Sequence, residues 1–235
     1  AHLLPHLLER GGKAVRGGLW MGALGFVIAV VALAGPSWRQ GEQPLWQSHS
    51  PLVIAVDMSS AIAASDLPPS RLLQVRAKLA TLLREREGGQ VALVAYAGEA
   101  FTVAPLTDDA ANVALFLDAL EPDVMPVDGQ EAAKAIALST RLMQQAGFDR
   151  GDILLITDQG DAADNSAAAE ANRQGYRVST LGVGTVAGAS YRNIDGSIGQ
   201  ARLDAGSLRA LSVAGGGTYQ TLTADHGDLD ALGVL

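Results

Sequence analysis

The chain has 235 residues, 48% of them hydrophobic and 18% charged, enough for one sizeable core with a short extension and too apolar for a disordered or fibrous chain. Its net charge of −8 is uneven: Arg10, Lys13, Arg16 and Arg39 against Glu9 leave residues 1–40 at +3 and the rest at −11, which argues against nucleic acid held through its phosphates. With no cysteine, there is no disulfide framework, thiol nucleophile or thiolate zinc site.

The chain begins with Ala and stops at Gly233-Val234-Leu235 without a closing element, so it reads as a piece of a longer protein. After a basic flank (1–16), residues 17–38 form a run of 22 without a charge, flanked by Trp20 and Trp38. That is about the ~20 residues needed to cross a bilayer's hydrocarbon, with aromatics where the interfaces fall. A secretory signal fits less well, because the apolar run is too long and Pro36-Ser37-Trp38 makes a poor cleavage site. The expectation is one transmembrane helix. Basic residues gather before it, which puts the N-terminus in the cytoplasm and the acidic remainder across the membrane. Residues 39–50 are polar, contain Pro44 and read as a linker to a domain over 51–235.

That domain opens with Leu52 to Val56, five apolar residues running into Asp57, Ser59 and Ser60. Such a run suits a strand covered on both faces. A helix capped by Ser70 follows, with Leu72, Val75, Leu79, Leu82 and Leu83 on one face. Val91–Tyr96 and Ala100–Ala104 read as a hairpin, and Thr107 as the cap of a helix reaching about Leu120. A Pro- and Asp-rich loop (121–130) leads to a helix over 131–145. A second buried strand, Ile153–Ile156, ends in Thr157-Asp158-Gln159-Gly160. A solvated alanine-rich helix (162–174), a strand (176–183), a hairpin around Asp195-Gly196, a helix (204–214), a strand (218–222) and a helix from Asp225 complete the order. Strands alternating with helices of this length predict a doubly wound, mostly parallel α/β sheet with helices on both faces.

Two buried strands therefore end in aspartate, and in a doubly wound sheet Asp57 and Asp158 can meet at the carboxyl edge. A carboxylate with a hydroxyl two residues on suits a hard cation such as Mg²⁺. The stretches VIAVDMSS, PSRL, VALVAYAGEAFTVAPLTDD and DILLITD, taken together, resemble a von Willebrand factor A (VWA) domain. More narrowly, they resemble the membrane-anchored, BatB-like members of the Bat proteins of bacterial aerotolerance operons. The resemblance implies a Rossmann-like VWA fold and a metal-ion-dependent adhesion site. Asp57 and Ser59 match its first two ligands and Asp158 its last acid. Ala61 and Gln130 stand where the remaining serine and threonine are expected, and Gln159 where a glycine usually follows the acid. Losing two hydroxyls leaves a partial site that holds Mg²⁺ weakly or not at all.

The resulting expectation is a non-catalytic protein-interaction module, docking partners at an edge that includes Ser60, Gly129, Gln130 and Gln159. The resemblance implies other Bat proteins and a MoxR-type AAA+ ATPase as partners. With the charge asymmetry across the span, this places the chain in the bacterial cytoplasmic (inner) membrane with the VWA domain on the periplasmic side, and the resemblance implies a second span beyond Leu235. A metal-dependent hydrolase using Asp57 and Asp158, or a purely structural membrane scaffold, are the alternatives. The hydrolase lacks a general base of suitable type.

Overall fold

The structure, a computed structural model, describes residues 13–33 and 50–235. They belong to two units, one within 1–45 and one within 46–235. In the first, helix α1 (Lys13–Leu33) is 21 residues long and exposes Trp20, Met21, Leu24, Phe26, Val27, Ile28, Val30 and Leu33. The span predicted over 17–38 runs past it into residues outside those described, as does the predicted linker over most of its length. Among the described residues, no helix is long and apolar enough to cross a membrane.

The second unit is built on a six-stranded sheet. Strand β1 (Leu52–Asp57) is buried at every position because both of its faces are covered. It pairs in parallel with β2 (Val91–Tyr96) on one side and β4 (Gly151–Thr157) on the other. Strand β3 (Ala100–Thr107) folds back antiparallel on β2 as the edge, and β5 (Tyr176–Gly182) and β8 (Gly216–Thr221) extend the parallel part beyond β4. The strand order is β3-β2-β1-β4-β5-β8. The chain thus leaves β1 in one direction and later resumes on its other side, which makes the β1/β4 carboxyl edge the topological switch point.

Successive strand residues point to opposite faces, and the core divides accordingly. Leu52, Ile54 and Val56 face α2 (Arg71–Glu85), α3 (Ala110–Ala114) and α7 (Gly227–Leu232) through Val75, Leu79, Leu82, Val113 and Leu229. Val53 and Ala55 face α4 (Ala132–Gln145), α5 (Ala162–Arg173) and α6 (Ala205–Ala214) through Ile136, Met143, Ala168 and Leu211. The predicted doubly wound sheet is the observed one. A separate hairpin, β6 (Ala189–Arg192) with β7 (Ile198–Ala201), turns around Asp195-Gly196 and packs against the 60–63 turn.

Three local expectations are corrected. Strand β3 runs to Thr107 rather than Ala104, so the following helix is only five residues long and the chain then tightens into a 3₁₀ turn at Leu117–Ala119. Its cap is Asp109, whose carboxylate accepts the Ala111 and Asn112 N–H groups, while Thr107 accepts only the Asp109 N–H. A carboxylate at this position also meets the positive end of the helix. Helix α5 is exposed at Glu170, Asn172 and Arg173, yet its first turn sends Asp164 inward.

Candidate functional site at the carboxyl edge

Strand β1 delivers Asp57 to the switch point, where its side chain is 3% exposed. One carboxylate oxygen accepts the Ser59 N–H at 2.8 Å, and the other accepts Thr157 Oγ1 and Gln130 Nε2, each at 2.9 Å. Strand β4 delivers Asp158 alongside. The same Gln130 Nε2 donates to its Oδ1 at 2.9 Å, and Arg71 Nη1 donates to its Oδ2 at 2.8 Å. The two acids therefore meet, and Gln130 lies between them. Its own Oε1 accepts a hydrogen bond from Gln159 Nε2 at 2.5 Å, which fixes the amide with its N–H groups inward.

Arg71 opens α2 and is 1% exposed. Its Nε and Nη2 grip both oxygens of Asp66 at 2.6 and 2.8 Å, leaving Nη1 for Asp158 and, at 3.4 Å, the Ala61 carbonyl. Asp66 also accepts the Thr185 N–H at 2.7 Å, tying the loop after β5 to this corner. The guanidinium lies against Gly184, at φ +117°, where a Cβ would stand 2.5 Å from Nη2. Gly184 thus makes room for an arginine.

The loop carrying Gln130 is pinned from three directions. Gly98 N–H donates to the Val127 carbonyl at 3.0 Å and Glu131 N–H to the Ala97 carbonyl at 2.9 Å. Asp128 accepts the Ser60 N–H at 2.9 Å and the Ser60 hydroxyl. Asp164 reaches from α5 to accept the Ala133 N–H at 2.7 Å, capping α4 in place of Glu131, while completing a capping box with Asp161. Gly129 adopts φ +144° with its Cα face against Gly98, a conformation costly to any residue with a Cβ.

Burial dominates the electrostatics of Asp57, pushing its pKa from 3.8 up to about 6 despite the lowering hydrogen bond from the Ser59 N–H. Burial also works to raise Asp66, but the Arg71 hydrogen bonds win and hold it at about 2. Burial, then Asp57, pushes the enclosed Tyr96 phenol well above its ordinary value.

The structure brings Asp57, Asp158, Gln130 and Gln159 together, and Gly129 sits beside them. Ser60, predicted at the docking rim, is instead buried and turned toward Asp128. Ser59 Oγ is buried without a hydrogen-bond partner among the described residues. Ala61 is enclosed in a small apolar cluster with Ala64 and Ala201, backed by Tyr191 of the hairpin. Among the described residues, no group of three or more His, Cys, Asp or Glu is placed to hold a metal. The amide between the acids presents N–H rather than oxygen, so this arrangement does not fit a hard cation. Above Asp158 lies a cleft of about 450 Å³. Gln130, Asp158 and Gln159 form its floor, and Tyr191, Gln200 and Arg202 of the hairpin and its exit form its wall.

Four residues of this network, Asp66, Arg71, Asp128 and Asp164, did not stand out in the sequence. Arg71 carried a signal: an arginine in the first turn of a helix sits at the wrong end of the dipole, which asks for acidic partners nearby.

The sequence model described as "von Willebrand factor type A domain" matches residues 52–161. Conserved hypothetical protein BatB from Bacteroides thetaiotaomicron is 30% identical with a TM-score of 0.71, over 77% of this chain and 94% of that one. This chain is a Bat-family VWA protein. An aerotolerance-related membrane protein from Bacteroides fragilis is also similar, at 28% identity and a TM-score of 0.71, over 78% of this chain and 96% of that one. A von Willebrand factor type A protein from Catenulispora acidiphila, at 19% identity and a TM-score of 0.52, covers 75% of this chain and 39% of that one and shares the fold alone. Among curated proteins, none matches. In this Bat-family chain β1 carries Asp57, the 60–63 turn carries Ala61, and Asp158 directly follows β4.

Proposed function

We propose that this VWA domain is the docking part of a membrane-anchored Bat protein in a bacterial envelope complex, and that it recognises a partner protein at its carboxyl edge. The observation that carries the reading is the cleft between the edge loops and the β6–β7 hairpin, whose floor is the linked set Asp158, Gln130 and Gln159. A rigid, polar floor with exposed Gln159 and Arg202 at its margin suits a polar segment of another protein. The family implies other Bat proteins and a MoxR-type AAA+ ATPase as partners. Catalysis finds less support. A general base must reach a proton on substrate, and both oxygens of Asp57 are engaged inside the protein.

The uncharged run over 17–38 and the exposed apolar surface of α1 support an anchor in the cytoplasmic membrane with the VWA domain on its outer side. The similar Bacteroides fragilis protein is an aerotolerance-related membrane protein, which agrees with a membrane anchor. The test is affinity capture from solubilised membranes with the full chain, repeated with Gln159→Arg and Arg202→Glu. Loss of the same captured proteins in both variants supports docking at the cleft. Capture unchanged in both contradicts it and favours a scaffold role.

A further inference from the structure

We propose that this edge works without a divalent cation, because the Gln130 amide and the Arg71 guanidinium have taken over the task of holding Asp57 and Asp158 together. The inference deepens the docking reading by stating how the recognition surface is kept in shape. Two carboxylates this close repel each other unless positive charge or donors are placed against them. An ion is one solution. Here the donors come from the chain itself: Gln130 Nε2 lies 2.9 Å from both acids, and Arg71 takes the second oxygen of Asp158 at 2.8 Å.

The amide cannot simply turn over to offer its oxygen to an ion. Reversed, it would set Oε1 against the two carboxylates in place of the two hydrogen bonds that Nε2 donates there, and the Gln159 amide would have to turn with it. Nor can Arg71 withdraw, since Asp66 holds it by two hydrogen bonds in a pocket sealed from solvent. The void bounded by Asp57, Ala61, Arg71 and Asp158 is about 10 Å³. That is about the volume of one water at most, whereas Mg²⁺ usually keeps several waters of its shell. The position of the missing serine is filled from above, where the hairpin closes Ala61 into an apolar cluster. Ser59, whose hydroxyl has no hydrogen-bond partner, does not line this void, and the hydroxyl that does, Thr157 Oγ1, is engaged as a donor to Asp57 at 2.9 Å.

The experiment is isothermal titration and thermal unfolding of the full chain with MgCl₂ and with MnCl₂. The wild type is expected to show no saturable heat and no change in melting temperature. The double variant Ala61→Ser/Gln130→Thr, which returns two hydroxyls, is expected to bind Mn²⁺ and to melt higher as the ion is added. Gln130→Glu, which places a third carboxylate between the two, is a second route to the same gain should the double variant not fold. One-to-one binding in the wild type that Asp57→Asn removes overturns the proposal. An ion response that Asp57→Asn leaves intact comes from elsewhere on the surface, and the edge itself is ion-free as proposed. Neither variant gaining affinity overturns the role given to Ala61 and Gln130. None of these readings involves the partner, so the docking assignment stands or falls separately.

Discussion

Replacing Asp57 by Asn removes an ionisable group that the fold holds under strain. Burial raises its pKa from 3.8 to about 6, which at 1.36 kcal/mol per unit amounts to roughly 3 kcal/mol. Between about pH 4 and pH 6 the folded protein keeps a proton that the unfolded chain has released. The contribution is therefore fully present below about pH 4, declines as pH rises, and is gone above about pH 6. Asparagine carries no such dependence. Its oxygen can still accept the Ser59 N–H, and its N–H₂ can donate to Thr157 Oγ1, whose proton has the Gln159 carbonyl 3.3 Å away. The remaining conflict is between that N–H₂ and Gln130 Nε2, a mismatch costing about 1–2 kcal/mol. Asp57→Asn is thus expected to stabilise the domain by about 1–2 kcal/mol at pH 7, raising its melting temperature by about 2–8 °C for a domain of this size. The assay is urea unfolding at a series of pH values from 4 to 8, taken as the variant minus the wild type. Asp164, also raised by burial, contributes to both proteins and cancels in that difference. A difference that does not change with pH, or a variant less stable throughout, refutes the reasoning.

Other substitutions test separate joints. Arg71→Met fills the space but leaves Asp66 and Asp158 buried without a cation, and should cost about 3–5 kcal/mol in chemical denaturation; Arg71→Lys recovers only part, since an ammonium cannot grip both acids in the same fork. Asp66, held at about 2, contributes stability that is present above about pH 4 and lost as pH falls toward 2, and this acid-side loss should shrink in Arg71→Met. Gly129→Ala sets a Cβ 3.1 Å from Gly98 Cα at φ +144° and should destabilise by about 1–3 kcal/mol, read by thermal unfolding. Lys78 donates to Asp228 at 2.8 Å inside the α2–α7 contact, so Lys78→Met should loosen α7 and raise amide exchange over 223–234 before the rest of the sheet responds.

The framework was legible because burial on both faces writes itself into the sequence as unbroken apolar runs. Leu52–Val56 and Ile153–Ile156 marked the two central strands, and each handed its aspartate to the same edge. The hairpin around Asp195-Gly196 was equally plain from its turn. Periodicity failed where neighbours decide the outcome. Thr107 and Asp109 are both plausible caps, and the extension of β3 along β2 chose the second. The state of the candidate site depended on tertiary facts that no spacing carries. Gln130 could have pointed either way; Gln159 and the two acids fix its amide. Arg71 lies 87 residues before Asp158 and meets it only because α2 starts at the carboxyl edge. Ser60 looked like a rim residue because it follows Ser59, but the 3₁₀ turn rotates it toward Asp128.

The most direct check on the central claim is a crystal of this domain soaked in MnCl₂ and measured at the manganese absorption edge. No anomalous peak is expected between Asp57 and Asp158, and the Gln130 side chain should bridge the two carboxylates. A peak there, with Gln130 displaced from both acids, would contradict it.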